Sequence, residues 1–219
     1  MSQSDNMRLP GVGELAPDFK LEALDGSIVN LSEYPKPVAL VFLRHLACIA
    51  CSEHLVLLHQ PIVLRRLEEL NARILVVSFA STENIRKWQK SFCEHFLQPA
   101  LKESGERCEF FPPQLFQFVS DPTLATYHAY GLDRNSAIKV FSPKVLWQYF
   151  KWGVEGKPVN YTNEDTLQRG GNFVIGPGNR ILLSHTGKDQ LERPAPKEII
   201  ESLTNPDRLL FGKPGKPLQ

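Results

Sequence analysis

Two cysteines three residues apart, Cys48 and Cys51, sit in the stretch LRHLACIACSEH at 43–54, where an apolar run gives way to a leucine-rich segment. At a strand-to-helix corner, free backbone N–H groups and the helix dipole favour negative charge. A thiolate there has a lowered pKa and is the better nucleophile at neutral pH. The spacing puts the second sulfur one helical turn on, in reach of a mixed disulfide formed at the first. On this reasoning Cys48 attacks and Cys51 resolves. Arg44 and His45 bring positive or switchable charge beside them. Glu53 is placed to hydrogen-bond near the thiols, and Arg169, just before GGNFVI, to offer a cation to a thiolate or an oxidised substrate. Each has a plainer alternative: His45 ends a strand and caps a loop, Glu53 is an ordinary acid of a first helical turn, and Arg169 lies on the surface.

The same stretch admits two other readings. His45, Cys48, Cys51 and His54 recur every third residue, a local Cys2His2 set of the kind zinc binds tetrahedrally. Structural zinc sites usually join two separate pairs, however, and along one helix Cys48 and His54 stand about 120° apart. Cys93 and Cys108 form no second pair and are read as spectators, with a remote resolving thiol as the alternative for either. No metal and no organic cofactor is therefore expected. The other reading is that both cysteines are small packed core residues. His54 and His59 are expected on the surface of the helix, while His95, His128 and His185 have no evident partners.

Stepping outward, the elements that must position this corner are legible in the periodicity. APDFKLEALDGSIVNLSEY (16–34) reads as a hairpin around LDG, and KPVALVFLRH (36–45) as a central strand buried on both faces. From Cys48 to about Leu70 the period is helical, with Pro61 kinking or restarting the helix. ARILVVSFA (72–80) is a second buried strand, and 81–92 an amphipathic helix capped by Ser81 or Thr82. LFQFVSD (115–121) is a strand, and 122–132 a short helix with Pro122 near its start and Gly131 at its end. Residues 133–168 form an insertion with some helix, in which Trp147, Tyr149, Phe150 and Trp152 line a pocket, mediate self-association or simply pack. GGNFVIGPGNRILLSH (170–185) is a hairpin with Pro177 and Gly178 in a type II turn, and 195–203 a final helix. A βαβ start with an antiparallel hairpin and closing helix implies an α/β mixed sheet flanked by helices. The chain divides into a tail at 1–10, a single domain at 11–206 and a second tail at 207–219.

Composition excludes several classes. A formal net charge of +1 gives no basic excess for nucleic acid, and 42% hydrophobic residues supply a core without disulfide staples. The longest apolar runs fall far short of the roughly 20 residues of a membrane helix, so no membrane partner is expected. The polar start MSQSDNMRLPG has no apolar segment of a secretory signal. A cytoplasmic location with mostly reduced thiols follows as the expectation.

Four stretches resemble a known family: APDFKLEALDG, FLRHLACIACSEH, SDPTLATYHAYGL and QRGGNFVIGPGNRILLSHTGKDQLERP, which together touch most of 16–194. They are similar to the thioredoxin-like superfamily, specifically to AhpC/TSA-type peroxiredoxin-like proteins carrying CxxC, the peroxiredoxin-like 2 group. The resemblance implies a thioredoxin fold with an N-terminal hairpin extension, and Cys48 and Cys51 cycling between dithiol and disulfide. It implies peroxide or similar O–O substrates and a thioredoxin-like or other dithiol donor. The Pro-x3-Thr-x2-Cys pattern of typical peroxiredoxins is absent: counted to Cys48 its Pro and Thr positions hold Val41 and His45, and counted to Cys51 they hold Arg44 and Cys48. The expected function is a thiol-dependent oxidoreductase, an antioxidant enzyme acting on peroxides or disulfides, with a homodimer possible. The alternatives are a redox-sensing binding module without turnover and a structural zinc domain.

Overall fold

Every position of VALVF is apolar, so this strand has no face to offer water and belongs inside a sheet covered on both sides. In the computed structural model, which describes residues 8–104, 111–136, 142–157 and 163–204, it is β3 (Val38–Phe42), buried throughout. The other strands are β1 (Lys20–Ala23), β2 (Ile28–Asn30), β4 (Arg73–Ser78), β5 (Phe116–Ser120), β6 (Gly171–Ile175) and β7 (Ile181–His185). They form one seven-stranded sheet in the order β2-β1-β5-β4-β3-β6-β7. β3, β4 and β5 run parallel, while β1 and β6 join this core antiparallel at either side. The expected hairpins are β1–β2 and β6–β7.

The period-2 alternation of the strands builds two cores. Ala39, Val41, Ile74, Val76, Phe116, Phe118 and Val174 face one side, where they meet the helices and both cysteines of the 48/51 pair. Leu40, Phe42, Leu75, Val77, Val119, Phe173 and Ile175 face the other. There Phe42 meets Tyr127, Tyr130 and Phe173 with ring centroids 5.1, 5.0 and 5.8 Å apart.

α1 (Ile49–Leu58) and α2 (Pro61–Glu69) are separate helices. Pro61 has no N–H to donate backward, so it occupies the first turn of α2 and the chain restarts there. α3 (Thr82–Phe92) opens on Ser81, whose hydroxyl accepts from Asn84 N at 3.3 Å. The helical path does not end at 92. It widens into a π turn (Cys93–Leu97) and continues as α4 (Gln98–Ser104). Pro99 is the physical reason: it cannot bond back to residue 95, and the wider turn ahead of it makes room for its ring. α5 (Ala125–Ala129) starts later than Pro122 predicts, because the buried Asp121 carboxylate caps it, accepting from Thr126 N at 2.8 Å and Tyr127 N at 3.3 Å. Gly131 closes it with φ +65, and a Cβ there would lie 2.7 Å from Leu9 N.

The described part of the insertion contains α6 (Pro143–Val154), and the last described element is α7 (Pro196–Thr204), packed on β6 and β7. The 177–179 turn is not a simple type II turn: both Gly178 (φ 64) and Asn179 (φ 56) are left-handed. Residues 8–10 of the expected tail are tied in, with Pro10 buried and its carbonyl accepting from Ser184 Oγ at 2.7 Å. The expected C-terminal tail at 207–219 lies outside the described residues.

Candidate functional site

β3 ends at Phe42 and α1 begins at Ile49, so the cysteines stand where the central strand hands over to a helix. Cys48 is the N-cap of α1, and its sulfur accepts from Cys51 N at 3.3 Å. Cys51 follows one turn later with its Sγ 2.8 Å from that of Cys48, both as free thiols. A small side-chain rotation brings them to the ~2.05 Å of a disulfide. Both are sealed from solvent, at 0% and 2% exposure.

Two guanidinium groups serve the pair unequally. Arg193 Nη2 donates to Cys51 Sγ at 3.0 Å, and the backbone N–H of Arg44 lies 3.5 Å from the same sulfur. The Arg44 side chain comes within 3.9 Å of Cys48. Burial opposes charge on Cys51, but the Cys48 thiol, Arg193 and Arg44 outweigh it and hold Cys51 down to about 5, from an ordinary 9.0. Burial, followed by the hydrogen bond and charge of Cys51, pushes Cys48 well above its ordinary value. The two sulfurs, 2.8 Å apart, thus titrate as a pair, with negative charge favoured on Cys51 over Cys48. This reverses the polarity expected from the sequence, where helix-dipole reasoning lowers Cys48. The hydrogen bond with Cys48 and, after it, the Arg193 cation from a distant loop favour charge on Cys51.

The remaining expected residues divide. Arg44 is buried and made a tie: Nε donates to Gln168 O at 3.1 Å, Nη2 to Thr166 O at 2.5 Å, and Nη1 to Gln190 Oε1. His45 is buried, and its Nδ1 has no hydrogen-bond partner among the described residues. Burial and then Arg44 hold it down to about 3, so it brings no positive charge to the thiols. Glu53 turns away to an ion pair with Lys157 at 3.0 Å. Arg169 donates to Thr186 Oγ1 at 3.2 Å, and Arg193 takes the thiolate role foreseen for it.

His54 and His59 are not on the surface. His54 is buried and its Nε2 lies 3.0 Å from Asn172 Oδ1, while His59 packs edge-on to Phe111 with centroids 5.3 Å apart. α1 is wedged between sheet and helices, so its polar flank is enclosed too. Burial and then Arg193 hold His54 down to about 3. Among the described residues no group of three His, Cys, Asp or Glu side chains converges as a metal site. Cys93 is half-buried near Gln98, and Cys108 lies outside the described residues.

A model of the AhpC/TSA family matches residues 12–181 of this architecture. The chain belongs to the AhpC/TSA family. It is 24% identical over 169 residues to human peroxiredoxin-like 2C (Homo sapiens), covering 74% of this chain and 66% of the relative. The bovine protein of that name (Bos taurus) is 25% identical over 169 residues, covering 74% of this chain and 65% of the relative. The match thus spans just under two thirds of these relatives' length. Among solved structures, a peroxiredoxin 6 mutant of Arenicola marina superposes with a TM-score of 0.62 at 13% identity, covering 95% of this chain and 78% of that one. Mycobacterium tuberculosis AhpC superposes with a TM-score of 0.59 at 17% identity, covering 94% and 97%. At such identities the likeness is one of fold, and it is the peroxiredoxin form of the thioredoxin-like fold.

Within this AhpC/TSA frame, sequence reasoning missed Arg193, Gln190, Asn172 and the role of Tyr149. Arg193 is the penultimate residue of a stretch that carried the family resemblance, and that was its signal. Tyr149 reaches Cys48 from α6, and burial, then the charges of Cys48 and Cys51, raise its pKa. Gly170 shows why glycine stands just before β6: a Cβ there would lie 2.4 Å from Phe42 O and 3.1 Å from Arg193 Nη1. Gly170→Ala is expected to push Arg193 off Cys51. Its cysteine alkylation profile should then shift to higher pH, and its stability from urea unfolding should fall by about 1–3 kcal/mol. A profile superimposable on the parent chain's excludes this role for the glycine.

Proposed function

We propose that the chain is a thiol-dependent oxidoreductase that reduces peroxide or disulfide substrates through a Cys48/Cys51 dithiol–disulfide cycle. The observation that carries this reading is the pair itself: two free sulfurs 2.8 Å apart, one of them 3.0 Å from the Arg193 guanidinium. In the peroxide reaction the Cys51 thiolate attacks the terminal peroxide oxygen. An S–O bond forms, the O–O bond breaks, and the alkoxide takes the proton held on Cys48. Cys48, now a thiolate, attacks the Cys51 sulfenic sulfur; the S–S bond forms and hydroxide leaves as water once protonated. Two thiols and ROOH become one disulfide, ROH and water. A disulfide substrate runs the same way through a mixed disulfide. A dithiol protein of thioredoxin type restores the pair by exchange, its own cysteines being oxidised.

Membership of the AhpC/TSA family supports peroxide as the first substrate to try, and supports an oligomer. The missing Thr position helps assign the roles. Counted to Cys51 it is Cys48, whose thiol occupies the place of a hydroxyl donor to the reacting sulfur. The reading keeps the cytoplasm, with its reduced thiol pool, as the expected setting.

The test is a peroxide assay driven by a thioredoxin system. Wild type is expected to turn over. Cys51→Ser is expected to consume no peroxide, and Cys48→Ser to react once and stop at a sulfenic acid trapped by dimedone. Equal consumption by all three proteins sinks the proposal. Burial of both sulfurs, at 0% and 2% exposure, favours one second reading, a redox-sensing module. It predicts a reversible disulfide of defined potential with no turnover in the same assay.

A further inference from the structure

Arg44 and Arg193 both bring a cation to the sulfurs, and they are held there in different ways. Arg44 is 1% exposed and donates to the carbonyl groups of Thr166 and Gln168 and to Gln190. None of these acceptors changes with the redox state of the cysteines. Arg193 is half-buried, and its Nη2 donates to Cys51 Sγ at 3.0 Å. Burial opposes its charge, and the charges of Cys51 and then Cys48 outweigh that opposition. Among the described residues no carboxylate forms an ion pair with either arginine.

Arg193 therefore leans on a partner that exists only while the pair is reduced. In the peroxide reaction the Cys51 thiolate, the Cys48 thiol, ROOH and one proton from solvent become the disulfide, ROH and water. The negative charge on Cys51 is then gone. The sulfurs already stand 2.8 Å apart, so α1 need not unwind for the bond to form. What changes is the charge that faces Arg193, at a site where burial makes an unpaired cation costly.

Arg193 ends a segment, 187–193, that is folded on itself. Asp189 Oδ1 accepts from Leu191 N at 2.8 Å and Glu192 N at 3.1 Å, and the Glu192 carboxylate accepts from Lys188 N at 2.8 Å. Its ties to the rest of the chain are unequal. The Lys144–Asp189 ion pair has an exposed lysine and holds little. Gln190 accepts from Arg44, and Leu191 packs on the core that contains both cysteines. The contact from Arg193 to the Cys51 anion is the tie that oxidation removes.

We propose that segment 187–193 is a redox-gated cover, held over Cys51 by Arg193 while the pair is reduced and released when Cys48 and Cys51 form a disulfide. This rests on the dithiol–disulfide cycle proposed above. It supplies what that cycle needs, a way for a dithiol protein to reach sulfurs that are 0% and 2% exposed. By linkage, a cation that favours the reduced pair over the oxidised one also makes the disulfide easier to reduce.

The experiment is hydrogen exchange read by mass spectrometry on the full chain, reduced and after oxidation by hydrogen peroxide, with the Cys48–Cys51 link mapped in the same digest. Loss of one charge-assisted hydrogen bond is expected to speed exchange across 187–193 at least about tenfold in the oxidised form. β3 and β4 should exchange alike in both. Arg193→Gln should exchange fast at 187–193 in either state. Its dithiol–disulfide equilibrium at pH 7 should move toward the disulfide by about tenfold or more, about 30 mV for a two-electron couple. Lys144→Gln, which cuts the exposed tie of the same segment, should keep the difference between the two states. Equal exchange in the two states of the parent chain overturns the gate, and so does a difference that survives in Arg193→Gln. A chain that forms no Cys48–Cys51 link fails the redox cycle itself; one that forms the link and exchanges equally fails the gate alone.

Discussion

Arg193→Gln is expected to move the Cys51 titration upward by about 1–3 units, because the nearest opposite charge is removed from a sulfur that burial already disfavours as an anion. In the parent chain Cys51 is held to about 5, so its thiolate dominates above that pH. The rate of iodoacetamide reaction with Cys51 should rise through pH 5 and stay flat to beyond 7. Neither His45 nor His54 breaks that plateau, since both are held down to about 3. In the variant the rise shifts toward neutrality, and peroxide consumption at pH 7 falls with the thiolate fraction, by up to roughly tenfold at the upper end of that shift. Linkage has a definite sign: a lowered pKa contributes stability that is present above the ordinary 9.0 and is lost as pH falls through about 5. The parent chain should therefore lose more stability than the variant on acidification across that window. Identical alkylation profiles for the two proteins would refute the assignment of Arg193.

The largest stability effect is expected at Arg44. Its guanidinium joins the end of β3 to Thr166 and Gln168 of the insertion and to Gln190 of the loop that carries Arg193. Arg44→Met keeps much of the volume but leaves three acceptors without their donor. At about 1–3 kcal/mol for each buried group left unpaired, the loss is at least about 3 kcal/mol. In urea this should appear as a lower midpoint with an unchanged slope. It should be accompanied by faster alkylation of both cysteines, because the segments that close over them are no longer tied down. A midpoint within error of the parent chain's would show that these segments are held by other contacts.

These expectations divide according to the range of the interaction behind them. Patterns that repeat along the chain are local, and they were legible without coordinates. The unbroken apolar run at 38–42 could only be a covered strand, the 3.6-residue period after Cys48 a helix, and Ser81 a cap. The family resemblance likewise rested on contiguous stretches, and the family match at 12–181 bears it out. The pairing of Cys48 with Cys51 needed only a helix of known pitch.

Local patterns alone were thus enough for an α/β mixed sheet with a CxxC pair at the mouth of its central strand. The electrostatics of that pair and the burial of its surroundings came instead from contacts between distant parts of the chain. Arg193 lies 142 residues from Cys51 in the chain and 3.0 Å from it in space, with Gly170 clearing its path. No periodicity records that approach, because a charge acts through distance and solvent rather than through position along the chain. The same reason put His54 and His59 inside when their helical flank reads as surface. Burial is set by what packs on top, and here that comes from strands, loops and an insertion far away in sequence.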